Sequence, residues 1–156
     1  MAKFNVLGFD AFAADLEAAK ELSTDEVFSI LEAGGAVVLR AMRQKLADLN
    51  YVLTGRLRDS IEVVRRPTRG DPAVLIYPRG KHHSYHGRDS KGRRGKGGIE
   101  AASASEVGFV LNYGAPSRGI PAFHWMEPAV EFSGPETTEA MQEEFNAILD
   151  SKGVGR

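Results

Sequence analysis

Three of the four histidines in this 156-residue sequence lie close together and are its best candidates for binding a metal ion. His82 and His86 are four positions apart, the spacing that places two ligands on one face of a helix. The residues that follow are rich in glycine, lysine and arginine, which disfavours a helix and repels cations, and no cysteine or carboxylate pair is near. We therefore expect His82, His83 and His86 to be solvated loop residues, and the protein to hold no metal and no cofactor.

The other residue combinations that could support catalysis are also incomplete. His124 and Glu127 could form an acid–base pair, but Trp125 and Met126 between them favour a packing role for this segment. Residues 92–98 look like a phosphate-binding loop, yet the serine or threonine that should follow the lysine is missing. The sequence has no Gly-x-Ser-x-Gly nucleophile motif and no His-Glu-x-x-His zinc motif. We therefore expect no catalytic residues, and an enzyme is the least favoured class of function.

Charge is distributed very unevenly along a chain whose net charge is only −1. Residues 79–98, called the basic arm below, carry one acid, Asp89, and seven bases: Arg79, Lys81, Arg88, Lys91, Arg93, Arg94 and Lys96. The basic arm therefore has a net charge of +6, and the rest of the chain must carry −7. Residues 127–150, in contrast, contain seven acids and no base. Such a separation of opposite charges indicates two surfaces that contact different partners.

Three roles are open for the basic arm. It contains six glycines and no apolar periodicity, so it cannot build a core, and a solvated flexible loop is the simplest role. Alternatively, its bases could neutralise DNA phosphates, which gives binding without sequence preference, or they could contact an acidic protein surface. Tyr85 is its only aromatic residue, so we do not expect nucleic-acid bases to stack on an aromatic platform there.

Apolar periodicity predicts two helices in the first third of the chain. Residues 9–22 have the pattern of a short amphipathic helix. Ser23 and Glu26 form the signature of a capping box, from which a long helix should run to about residue 50. Gly34 and Gly35 lie inside this helix, where each glycine costs about 1 kcal/mol relative to alanine. Either the close approach of another backbone offsets that cost, or the helix is kinked there.

Three strands are predicted next. Residues 61–66 and 73–77 are β-branched runs that should form a hairpin with its turn at residues 69–71. Beyond the basic arm, apolar residues alternate from Val107 to Tyr113, which predicts a third strand with one buried face. Helices segregated from a small, mainly antiparallel sheet make the predicted fold class α+β.

The last third of the chain is predicted to close the fold. Residues 120–129 contain prolines and aromatic residues and should anchor the last helix to the sheet, with Trp125 largely buried. Ser133 and Glu136 look like a second capping box, and the helix after it has an apolar stripe formed by Met141, Phe145, Ile148 and Leu149. We predict a single domain over residues 1–156: N-terminal helices including one long helix, the sheet with its flexible basic arm, and a C-terminal helix. Without cysteine no disulfide is possible, and no apolar run is long enough for a membrane span or a signal peptide.

Three segments of the sequence resemble one known family, the tail-completion and head–tail joining proteins of long-tailed bacteriophages. Residues 54–61 are similar to its TG-x-L-x-x-SI segment, residues 106–114 to its strand ending in an aromatic–glycine pair, and residues 120–129 to its proline-rich segment. The positions that carry the resemblance are Gly55, Leu57, Ile61, Gly114, Pro121, Trp125 and Pro128. The sequence departs from the family pattern at three positions where an acid, a proline and a base are usual: Asn112, His124 and Glu127, respectively.

The resemblance implies a structural protein of the virion without enzymatic activity. It implies a ring, of six copies by this resemblance, that completes the top of the tail tube and docks onto the head connector. The implied partners are other copies of the chain, neck and connector proteins and tail-tube proteins, with non-specific DNA contact in the lumen and no membrane. The implied location is the head–tail junction of the virion, after synthesis in the host cytoplasm. The alternative is a nucleic-acid-binding accessory protein that acts through the basic arm.

Overall fold

The computed structural model of the protein describes residues 21–49, 55–66, 71–82 and 102–153, with the backbone alone for residues 81, 82 and 102. The helices are α1 (Thr24–Asp48), α2 (Arg56–Asp59), α3 (Ala104–Tyr113) and α4 (Met126–Ser151), with a 3-10 turn at Pro116–Arg118. The strands are β1 (Ile61–Arg66), β2 (Ala73–Pro78), β3 (Lys81–His82) and β4 (Ala102–Ser103). The predicted helix over residues 9–22 falls almost wholly outside the described residues.

Helix α1 begins at the predicted capping box. The Ser23 hydroxyl accepts a hydrogen bond from the Glu26 amide at 3.2 Å, and the Glu26 carboxylate accepts one from the Ser23 amide at 2.7 Å. Together these bonds satisfy two of the amide donors that a helix start leaves without partners. The Lys152 ammonium lies 3.0 Å from the same carboxylate, so the start of α1 is tied to the end of α4.

Helices α1 and α4 pack against each other as the main layer of the fold, and two glycines set how closely α1 approaches its neighbours. A methyl group on Gly34 would lie 2.7 Å from Cγ of Met141 in α4. A methyl group on Gly35 would lie 3.0 Å from Cγ1 of Val63 in β1. The helix is continuous across both positions. Close packing therefore explains the glycine pair, but the approaching groups are side chains rather than the backbone that the sequence suggested.

The predicted hairpin is confirmed as the antiparallel pair β1–β2, and its second strand extends to Pro78. Val63 lies opposite Ile76, and this side of the hairpin packs on α1. Arg65 joins the same contact, because its guanidinium holds both carboxylate oxygens of Glu32 at 2.6 and 2.7 Å. The turn between the strands lies outside the described residues.

The predicted third strand is wrong, since residues 104–113 form helix α3. A second capping box starts this helix: the Ser103 hydroxyl accepts from the Glu106 amide, and the Glu106 carboxylate accepts from the Ser103 amide. Gly108 and Leu111 are buried, whereas Phe109 and Tyr113 are exposed, which is the burial pattern of a helix rather than of a strand. The apolar alternation from Val107 to Tyr113 therefore gave the wrong period.

The capping box predicted at Ser133 is also wrong, because α4 runs without a break through Pro135. The Ser133 hydroxyl instead donates to the carbonyl of Val130 at 3.2 Å. A proline inside a helix costs about 3 kcal/mol, since it removes one backbone hydrogen bond and crowds the preceding turn. Pro135 is exposed, and the packing of α4 along α1 outweighs that cost.

The core lies where α1, β1, α3 and α4 meet, and its buried cluster contains Met42, Leu46, Ile61, Leu111, Trp125 and Ala129. Trp125 is only 2% exposed, as predicted, and its indole N–H donates to the Gly108 carbonyl at 3.4 Å. The combination of these helices with a small antiparallel hairpin confirms the α+β class. Among the described residues, no helix combines the length and apolar character that a bilayer span requires.

Candidate interaction surface

The basic arm leaves the body and returns to it at one place. Strand β3, near the start of the arm, pairs with β4, so that residue 81 lies opposite Ser103 and residue 82 opposite residue 102. The Ala104 amide also donates to the Gly80 carbonyl at 2.8 Å. The chain therefore enters and leaves this segment on adjacent strands, beside the start of α3. The sequence did not predict this pairing, because two-residue strands carry no periodicity.

Only the first bases of the arm belong to the described residues. Arg79 is exposed, and its guanidinium lies 3.4 Å from the Glu62 carboxylate. Lys81 lies in β3, and the remaining five candidate contact residues are outside the described residues: Arg88, Lys91, Arg93, Arg94 and Lys96. Their contact with DNA or with protein stays a prediction.

Beyond Glu127 in its first turn, the acidic residues of α4 divide into two groups. Glu136 forms an ion pair with Arg40 at 2.6 Å, and Glu144 accepts a hydrogen bond from the Ser29 hydroxyl at 2.5 Å, so both hold α4 on α1. A second group is exposed and makes no ion pair with any described residue: Glu131, Glu139, Glu143 and Asp150. The acids that look alike in the sequence therefore differ in the structure: some bind residues of α1, and the others face solvent.

A buried asparagine organises the start of α4. Asn112 is fully buried, its side-chain oxygen accepts from the Met126 amide at 2.9 Å, and its amide nitrogen lies 3.0 and 3.1 Å from the two carboxylate oxygens of Glu127. Asn112 thus supplies the helix cap that Trp125, at the N-cap position, does not. Asn112 and Glu127 are therefore in direct contact with each other.

The possible acid–base pair of His124 and Glu127 has a structural role instead. The pKa of Glu127 is held below its ordinary value by its own backbone amide first, then by the amide of Asn112, with a smaller contribution from His124. His124 has a positive φ of 45°, and its amide donates to the Asn112 carbonyl at 3.0 Å. These contacts close the end of α3 onto the start of α4, which agrees with the packing role favoured by the sequence.

The positions that carry the family resemblance lie in the core and around the junction between α3 and α4. Gly55 (φ 69°) precedes α2, from which Leu57 reaches the core beside fully buried Ile61. Gly114 (φ 78°) leaves no room for a side chain, because a methyl group there would lie 2.8 Å from the Ala122 amide nitrogen. Two further motif prolines flank Trp125: Pro121 is exposed and Pro128 is half-buried in the first turn of α4. These positions belong to the turns and the packing of the fold.

The histidine cluster gives no further information on metal binding. His83 and His86 lie outside the described residues, and His82 is described only as part of the β3 backbone. Elsewhere in the described ranges, no three histidine, aspartate or glutamate side chains come together as a set that could hold a metal ion.

An exposed aromatic patch is the feature that the sequence analysis missed. Phe109 and Tyr113 lie one turn apart on α3, are 60% and 50% exposed, and their ring centroids are 4.7 Å apart. Val130 of α4 is 53% exposed and lies on the same surface as Tyr113. Tyr113, Met126 and Val130, with two glutamates, line an open depression of about 400 Å³. The alternation that predicted a strand had placed Phe109 and Tyr113 on its buried face, so only a correct helical assignment reveals the patch.

Comparison with known proteins places the chain in one family. Residues 10–93, just over half of the chain, match the family described as "Bacteriophage HK97-gp10, putative tail-component". The match covers α1, α2 and the hairpin and ends within the basic arm, before α3. No curated protein and no solved structure matches the chain significantly. The chain therefore belongs to the HK97 gp10-like family of bacteriophage tail components.

Proposed function

We propose that this tail component completes the top of a phage tail and joins it to the head connector, as one of several identical copies in a ring. The observation that carries the proposal is the family match, which assigns the chain to a structural part of the virion. The three motif segments, in order from residue 54 to residue 129, add the resemblance to tail-completion and head–tail joining proteins. A ring of six copies at the head–tail junction is what that resemblance implies, and no catalytic activity is part of the role.

The basic arm is the part of the chain that we expect to bind a neighbouring molecule. Its net charge of +6 is concentrated in twenty residues, while the body carries the compensating negative charge. The β3–β4 pairing fixes both ends of the charged segment beside α3. The segment between these strands can therefore be shortened or substituted without altering the backbone of the core. In a ring, the arm can contact either the acidic surface of the next copy or DNA in the lumen.

The first experiment removes the part of the arm that follows β3 and keeps the strands that attach it to the body. Residues 84–100 are replaced by a short glycine linker, which keeps β3, β4 and the Ala104–Gly80 hydrogen bond intact. We expect this protein to unfold cooperatively with a nearly unchanged denaturant midpoint, because no described core residue is removed. In a phage that lacks the wild-type gene product, it should give separate heads and tails instead of joined, infectious particles.

A matched variant separates charge from length. Arg88, Lys91, Arg93, Arg94 and Lys96 are all replaced by glutamine, so that the arm keeps its length and loses five positive charges. Loss of joined particles with both proteins would assign the defect to charge, whereas loss with the deletion alone would assign it to length. Full complementation by both proteins would contradict the proposed role of the arm and leave it a solvated loop.

A nucleic-acid-binding accessory protein is the second candidate, and the charge of the arm favours it. Binding through phosphate neutralisation releases counterions, so the affinity for duplex DNA should fall steeply as salt increases. Submicromolar binding with such a slope, lost in the five-glutamine variant, would favour this candidate. Normal joining of heads and tails in a phage without the protein would favour it further and would reject the joining function.

A further inference from the structure

The second side of the hairpin is only partly covered, since Val64, Ala73 and Tyr77 on it are half-buried while Arg66 and Leu75 are exposed. The register places Val64 opposite Leu75 and Arg66 opposite Ala73, on the side facing away from α1. Leu75 is 40% exposed and is the one strand residue among the large apolar side chains that are exposed in the described ranges. Leu75 is therefore the large apolar side chain on this side of the hairpin that is available for a contact.

The helices carry a second exposed apolar surface. Its depression of about 400 Å³ lies between Tyr113 on α3 and Met126 and Val130 on α4. The depression is wide open to solvent, so a leucine side chain can lie against its apolar lining.

Charge is complementary around the two features. Arg66 and Leu75 are diagonal neighbours on the hairpin, about 7–8 Å apart at this kind of position. Arg66 is exposed and forms no ion pair with the described residues. Glu131, which lines the depression beside Val130, is likewise exposed and has no ion-pair partner there. The exposed Leu75 with the positive charge of Arg66 beside it thus matches a depression with the negative charge of Glu131 beside it.

We propose that Leu75 of one copy of the chain inserts into the depression between Tyr113 and Val130 of a second copy, with Arg66 of the first copy facing Glu131 of the second. The two surfaces are different parts of the same chain, so the contact is heterologous. A heterologous contact continues from copy to copy and generates a ring when the rotation closes. The proposal rests on the proposed function in that it supplies the subunit contact of the ring.

The chain has no cysteine, so single cysteines can report this contact without interference. Leu75→Cys and Val130→Cys are made as separate proteins and treated with a short thiol cross-linker, both alone and mixed. The mixture should give cross-linked dimers, while either protein alone should give only background. Leu75→Cys mixed with Glu139→Cys is the matched control, because Glu139 is exposed on the same helix but about 13 Å further along it. Equal cross-linking of each protein with itself would indicate a two-fold contact and overturn the proposal.

Charge exchange provides an independent test. Arg66→Glu and Glu131→Arg should each reduce the yield of the Leu75–Val130 cross-link, because each places like charges together. Combining them in one protein should restore the yield. If the combined variant is as poor as the single ones, the two residues do not face each other.

The cross-linking reaction is run both on free protein and on particles assembled in cells. The particles show whether the contact forms in the assembled ring. A protein with both cysteines should give a cross-linked ladder that ends at the number of copies in the ring. If that protein joins heads to tails but gives no such ladder in particles, the contact is wrong and the proposed function stands. If heads and tails join normally without any copy of the protein, the proposed function fails on its own evidence.

Discussion

At the scale of single residues, Asn112 shows how one buried polar group can connect two helices. Its side chain accepts from the Met126 amide and donates to Glu127, while its backbone carbonyl accepts from the His124 amide. A buried amide without partners costs about 1–3 kcal/mol, so these bonds make the position intolerant of apolar replacement. The resemblance to tail-completion proteins implies an acid at position 112 and a base at position 127, whereas this chain has an amide and a carboxylate in contact there.

His124 gives the sharpest test at this scale. Proline fixes φ near −65° and has no amide hydrogen, whereas His124 has φ 45° and donates to the Asn112 carbonyl. We therefore expect His124→Pro, which introduces the residue that the resemblance to tail-completion proteins implies here, to lower the free energy of unfolding by about 3 kcal/mol. His124→Gly is the control, because glycine adopts this conformation freely and should be neutral or slightly stabilising. Urea denaturation followed by Trp125 fluorescence measures both, and an unchanged midpoint for the proline variant would show that the backbone is not left-handed there.

Single residues also show what the sequence could and could not predict. Burial of Trp125 was predictable, since a large aromatic between two prolines joins the sheet to the last helix. The contact between Asn112 and Glu127 was not, because the two residues are fifteen positions apart and meet only once α3 is known to be a helix. The aromatic patch was missed for the same reason.

At the scale of elements, the glycine pair of α1 controls how closely the two long helices pack. Gly34→Ala gains about 1 kcal/mol of helix propensity but places a methyl group 2.7 Å from Met141. Overpacking of this kind costs about 1–3 kcal/mol, so we expect a net loss of stability. Gly134→Ala in α4 is the matched control, since open space surrounds that position and the same propensity gain should raise stability by up to about 1 kcal/mol.

The denaturant midpoints of the two variants decide this prediction, because the propensity gain is common to both. Gly34→Ala combined with Met141→Ala should recover part of the loss, since the shorter side chain removes the clash. If Gly34→Ala stabilises as much as Gly134→Ala, the helices are not in the close contact described.

Elements differed in how well the sequence predicted them. The Ser23 capping box began a helix with a single clear periodicity, and α1 was predicted almost to its ends. An equivalent signature starts at Ser103 and indicates a helix. The apolar residues of α3 also alternate as in a strand, and this alternation predicts the wrong element. The prediction that a helix begins at Ser133 is wrong for a different reason. Pro135 is typical of the first turn of a helix, but the packing of α4 keeps the helix continuous through it.

At the scale of the whole molecule, ionised carboxylates make the fold sensitive to acid. Within the part of the chain that the structure describes, four carboxylates have a pKa held below the ordinary value of 4.5. Backbone amides of the two capping boxes lower the pKa of Glu26 and Glu106, and the Arg65 guanidinium lowers that of Glu32. The backbone amide of Glu127 lowers that of its own side chain. Each of these groups binds protons less readily in the folded state than in the unfolded state, so the folded state favours the ionised form.

The sign of the pH dependence follows directly. A lowered pKa contributes stability that is fully present above about pH 4.5 and is lost as the pH falls through the folded-state value. The melting temperature should therefore change little between pH 7 and 5.5 and drop between pH 4.5 and 3. Glu106→Gln retains a capping-box side chain that does not titrate, so this variant should lose less on acidification than the wild-type protein. A melting temperature that stays level down to pH 3 would contradict the carboxylate geometry.

The pairing of α1 with α4 has a consequence for how the protein is made. The two helices that form the main layer are separated by the whole middle of the chain, from Asp48 to Met126. A ribosome adds about 5–20 residues per second, so α1 waits roughly 4–15 s before the first turn of its partner is synthesised. During that interval Met42, Leu46 and Ile61 have neither Trp125 nor Ala129 to cover them. The nascent chain therefore exposes these apolar residues until Trp125 and Ala129 have been synthesised, and chaperones that shield such surfaces should be found bound to it on the ribosome.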